Sequence, residues 1–167
     1  MIIALAGTRH QPGFASRWDV QLIPPEMERE AYHAAADLTL TEAEELIKQT
    51  EQAAEAGALA ALEAAAASLP THTVVAVAVV VKAVSVPAST AQVLRSHAWM
   101  HAAEGLLYRE AILAAARKRG RMAHAVDAAV LTDLHQELAA IGRAAGRPWR
   151  RIEKDAAAAA LHLLWNS

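Results

Sequence analysis

The chain contains no cysteine. That absence excludes a disulfide framework and any thiolate metal site, and it fits a reducing cytosol. Aromatic residues make up only 4% and charged residues 20% of the 167 positions, while hydrophobic residues reach 54%. Such a chain can bury a core without staples, so disorder is excluded and a single α/β domain over residues 1–167 is expected. An excess of positive charge is missing too: 16 Lys and Arg stand against 18 Asp and Glu, a net charge of −2. A globally basic nucleic-acid binder is not indicated, and an anionic partner would need a local patch. Long apolar runs are also lacking. The valine-rich stretch 74–81 falls far below the roughly 20 residues that cross a bilayer. Residues 1–7 are too short for the apolar region of a signal peptide and lack a basic segment. A soluble, cytoplasmic protein with no membrane partner is expected. There is no nucleophile elbow, phosphate-binding glycine loop or dinucleotide fingerprint, so those enzyme classes carry little weight.

What is present reads as alternating strands and helices. Residues 1–6 form an apolar strand broken at Gly7, and residues 17–23 read as a second, with period-two alternation at Trp18, Val20 and Leu22. Pro24 and Pro25 end it. The alanines of 30–38 suit a helix, but the position after two strands favours a third. Thr41 and Glu44 have capping-box spacing, opening a helix over 41–68 that Gly57 weakens and Pro70 closes. The valines of 73–86 predict a central strand covered on both faces. Ser89 and Gln92 repeat the capping spacing before a long helix to Gly120, whose last turn carries Arg117, Lys118 and Arg119, as the helix dipole favours. A short strand over 121–126 and helices near 132–145 and from Pro148 onward complete the reading.

The long helix carries His97, His101, Glu104 and Tyr108. Successive residues advance by roughly 100°, which places the four side chains within about 60° of one another on one face. Val93, Leu94, Ala111 and Ile112 flank this polar stripe. Unpaired burial of such groups costs on the order of 1–3 kcal/mol each, so partners are required. One reading is a catalytic, divalent-metal or proton-transfer site, since two imidazoles and a carboxylate match two-His-one-carboxylate ligand sets. The other is a helix–helix or subunit contact in which the same groups satisfy one another. The stripe is not the zincin motif, because residue 98 is Ala rather than Glu.

The order of elements, with "VVAVAVVVKAVSVP", "LLYREAILAAARKRG", "RMAHAVD" and the closing "EKDAAAAALHLL", resembles the ribonuclease H-like superfamily, specifically its Holliday-junction-resolvase branch. The resemblance spans most of the chain and is weakest over 24–70. It implies a mixed central sheet of about five strands flanked by helices, and a protein that binds or processes nucleic acid. It also implies carboxylates on the first strand, the central strand and the last helix, holding two cations for phosphodiester attack. Here the first strand offers Ala4 and Ala6, and 73–86 has no acidic residue. Asp155, with Glu153 beside it, alone stands near the matching place on the last helix. The standard nuclease mechanism is therefore not expected, and the site would be degenerate or rebuilt.

Arg143, Arg147, Arg150, Arg151 and Lys154, with Trp149 among them, form the densest basic cluster, a candidate to grip phosphates and stack a base. The alternative is a solvated helix start with Trp149 as a packing anchor. Lys82 is a lone cation in an apolar run, and Thr8, Arg9 and His10 follow the first strand. Either set could face a ligand or simply solvent. Three functions follow as expectations: nucleic-acid binding or processing, a metal- or small-molecule-dependent enzyme centred on His97, His101 and Glu104, and a non-catalytic interaction module forming a homodimer through alanine-rich helices.

Overall fold

The computed structural model describes residues 1–131 and 134–166. Strand β1 (Ile2–Thr8) pairs antiparallel with β2 (Gln11–Trp18), and β3 (Ala76–Val81) pairs parallel with β4 (Met122–Asp127). The helices are α1 (Ala31–Ala34), α2 (Leu40–Ala67), α3 (Thr90–Val93), α4 (His97–Lys118), α5 (His135–Ala145) and α6 (Arg151–Asn166). The class is α/β, but the expected five-stranded mixed sheet is absent among the described residues. Two separate two-stranded sheets replace it. Helix α6 packs on both β1 and β3, so a helix rather than a continuous ladder bridges the two pairs.

Several of the differences from the sequence reading have a cause in the caps or in long-range packing. Strand β1 runs through Gly7, at φ 104° and paired with Pro12, to a turn at Arg9 and His10, so β2 begins at Gln11, earlier than the alternation at 17–23 implied. Residues 20–23 are not a strand, because Leu22 lies against α2 at Gly57. A Cβ built on Gly57 would sit 1.9 Å from the Leu22 carbonyl oxygen. Gly57 thus serves a close backbone approach, and α2 runs through it unbroken. The expected third strand is instead the single turn α1 followed by turns. Ala31 and Ala35, spaced i and i+4, are both buried, which is a helical pattern.

The α2 cap is Thr39, not Thr41. The Thr39 amide donates to Glu42 Oε2 (3.0 Å), and the Glu42 amide donates to Thr39 Oγ1 (3.4 Å). The two capping boxes overlap in sequence, and the earlier one forms. The anticipated 89–120 helix divides in two. Ser89 makes no side-chain cap bond, whereas Ser96 accepts from the Trp99 amide, so α4 restarts at His97. The valine strand shrinks to six half-buried residues, with Val75 and Val84 exposed at either side. It is not a strand covered on both faces. The expected start of α5 at 132 and 133 lies outside the described residues, and α6 begins after Pro148 rather than at it.

The largest core cluster lies between α1, α2 and α4. Ala43, Ala54 and Ala58 of α2 join Leu107, Ala111 and Ala115 of α4, with Ala31 and Ala35 beside them. Small side chains permit close helix approach. The ion pairs of Lys118 with Glu55 and of Arg119 with Glu63 link the C-terminal end of α4 to α2. This packing sets α1 against the first turns of α4, where the polar stripe begins.

Candidate metal centre

Three imidazoles meet where α1 touches α4. His97 opens α4 beside the Ser96 cap, and His101 follows one turn later. The third, His33, comes from α1, which Ala31 and Ala35 anchor in the core. His33 Nε2 lies 3.0 Å from His97 Nδ1, and His97 Nε2 lies 3.1 Å from His101 Nε2. The ring centroids are 4.3–4.7 Å apart. One nitrogen from each ring falls within 4.8 Å of the others. Zinc–nitrogen bonds of about 2.0–2.1 Å in a tetrahedron require nitrogens roughly 3.3 Å apart, close to the 3.0 and 3.1 Å spacings here, with His97 offering a different nitrogen to each neighbour.

Glu104 stands behind the rings. Its side chain is 8% exposed, and Oε1 accepts from His33 Nδ1 (2.8 Å) and from the His33 amide (3.2 Å). Its second oxygen, Oε2, lies 3.7 Å from His101 Nδ1. The carboxylate on His33 Nδ1–H leaves Nε2 as that ring's free lone pair, so Glu104 turns His33 Nε2 toward the cluster. For His101 it is an electrostatic neighbour rather than a hydrogen-bond partner. The arrangement is three histidines with a carboxylate behind them, in place of the two histidines and one carboxylate suggested by the spacing on α4 alone.

Two tyrosines frame the site. Tyr108 donates its hydroxyl to the Arg29 carbonyl (2.8 Å), tying the segment before α1 to α4. Burial raises the Tyr108 phenol above its ordinary pKa, as does the charge of Glu104, with Arg29 opposing. Burial, then Glu51 and Glu104, raise Tyr32 in the same direction. Both stay neutral donors near neutral pH.

The remaining candidates lie elsewhere. Asp155 pairs with Arg151 on its own helix (3.6 Å), and α6 has its main contacts with β1 and β3. Glu153 is fully buried and accepts from the Arg150 amide (2.9 Å) and guanidinium (3.0 Å). Burial works against its ionisation, but the bonds from Arg150 prevail and hold its pKa below the ordinary value. Within the basic cluster, then, Arg150 and Arg151 are each matched to a carboxylate. Arg143, Arg147 and Lys154 are exposed. Trp149 packs on the buried cluster of Ile141, Ala157 and Leu161 and fills the space beside Gly142. Arg17 donates to the carbonyl oxygens of Arg147 and Pro148, which fixes the loop rather than leaving it open. Lys82 is exposed just past β3, and Arg9 and His10 are exposed in the β1–β2 turn.

His33 escaped the sequence reading because a strand was expected there. The one local signal was the i, i+4 pair of alanines around it. No family model matches this chain, and no curated protein or solved structure matches it. Among the described residues, no helix is long and apolar enough to cross a membrane.

Proposed function

We propose that the chain is a metal-binding protein that holds a divalent first-row ion, zinc being the best fit, through His33, His97 and His101. The convergence of three imidazoles from two helices, backed by one buried carboxylate, carries this reading. Zinc accepts imidazole ligands in a tetrahedron, and a carboxylate on the outer nitrogen is its usual orienting partner.

A purely structural role explains the geometry less well. His97 and His101 are exposed, so water could satisfy them without any convergence. Exposed N–H···N contacts offset little of the freedom lost in gathering three side chains. A bound ion repays that ordering directly.

The test is elemental analysis and zinc titration of protein purified without an affinity tag. About one zinc per chain is expected, lost in His33→Ala, His97→Ala and His101→Ala. Metal content that stays the same across these variants would overturn the proposal.

A further inference from the structure

We infer that the three-histidine centre is a clasp: loaded with zinc, it fastens the strap formed by residues 24–38 onto α4 and so controls when that strap opens. The inference rests on the metal-binding reading above. The strap has both ends fixed on α2, because Leu22 lies against Gly57 and Thr39 caps the helix. Its middle reaches across to α4. His33 donates from Nδ1 and from its amide to Glu104 (2.8 and 3.2 Å), and its Nε2 lies 3.0 Å from His97 Nδ1. Tyr108 adds one bond, to the Arg29 carbonyl (2.8 Å).

Packing holds the strap only thinly. Residues 24–30 belong to no helix or strand, and α1 is a single turn, far below the length at which a helix persists alone. Between 24 and 38 the buried side chains are Ala31 and Ala35, which remove little apolar area from water. Segments with so few buried apolar contacts open locally, at less than the global cost of unfolding. His33 is the ligand that the strap contributes, whereas His97 and His101 stay on α4 when it lifts.

Opening therefore changes the ligand set from three imidazoles to two. A ligand shifts an equilibrium only by its differential affinity for the two states, so saturating zinc favours the closed strap by the ratio of those affinities. The coupling is reciprocal, and the same ratio is read as the loss of zinc affinity when His33 is removed, at least about tenfold. What the strap covers gives its opening a consequence. Tyr32 packs on the buried cluster of Val93, Met100 and Ala103, and Met27 and Tyr32 both pack on the core between α2 and α4. Lifting the strap uncovers this apolar face, and a loaded centre keeps it covered.

The test is hydrogen exchange read by mass spectrometry on the full chain, with a chelator and with excess zinc, while calorimetry on the same samples records zinc occupancy. The reporters are the amides of His33, Ala34, Ala35 and Ala36, which donate to Glu104 or within the strap. Without metal they are expected to exchange ahead of the middle of α2, and with zinc at least about tenfold more slowly. That zinc effect should vanish in His33→Ala, and in the double variant His97→Ala with His101→Ala, which leaves the strap unaltered. Each variant is compared with itself with and without zinc, and circular dichroism checks that it remains folded. If zinc binds but the reporters exchange at the same rate with and without it, the clasp is wrong and the metal-binding reading stands. If zinc does not bind, both fail. Metal-free reporters that exchange in step with α2 would also overturn the clasp, because the strap would not open by itself.

Discussion

Glu104 and His33 are 71 positions apart in the chain and 2.8 Å apart in space. That contact, together with the His33–His97 pair, ties a one-turn helix to the long helix, and it decides which nitrogen His33 offers. Replacing Glu104 by Gln keeps the shape but removes the charge and one acceptor oxygen. Zinc affinity measured by calorimetry should fall by roughly 10–100-fold with stoichiometry retained. An unchanged affinity would mean that the carboxylate does not orient the ligands.

Gly57→Ala offers a test of the fold with a diagnostic sign. In an exposed helix interior the change stabilises by about 1 kcal/mol. Here the new Cβ would meet the Leu22 carbonyl at 1.9 Å. Backbone has to move, so urea denaturation should show destabilisation of at least about 1–3 kcal/mol. Stabilisation would contradict the docking of residues 20–23 on α2.

The two overlapping capping boxes are separable by substitution. Thr39→Ala should cost about 1 kcal/mol, since Thr39 makes the cap bonds with Glu42. Thr41→Ala, inside the first turn of α2, should cost little. The reverse order in thermal or urea unfolding would place the cap at Thr41.

Acid should weaken the start of α6 through Glu153. Its folded pKa lies below its ordinary value, because the bonds from Arg150 outweigh the opposing effect of burial. A depressed carboxylate pKa contributes stability above the unfolded value of about 4.3, and that contribution is lost as pH falls through the lower folded value. Stability of the unaltered chain should therefore decline more steeply below about pH 4 than that of Glu153→Gln. Parallel pH profiles would show that the carboxylate is not stabilised by folding.

The legible part of the site was its helical half. His97, His101 and Glu104 share a face by spacing alone, and that holds wherever the chain is helical. His33 was not legible, because its place depends on α1 docking against α4, a long-range contact that no local pattern encodes. The same limit applied to the sheets. Valine at 74–81 signals strand but not partner, and neither the bridging of β1 and β3 by α6 nor the early end of β3 follows from composition. Gly57 was read as a weak point in a helix when it is a contact point for a distant backbone. The division of the long helix at Ser96 was missed because Ser89 carried an equally good capping signal seven residues earlier.

The most direct measurement is a zinc titration of the unaltered chain beside His33→Ala, at neutral pH and without an affinity tag. Participation of His33, the residue from outside the long helix, distinguishes a three-histidine centre from a pair of histidines on one helix face. The account predicts saturable binding of about one zinc to the unaltered chain and a loss of at least about tenfold in affinity for the variant. Equal binding by both proteins, or no saturable binding by either, would contradict it.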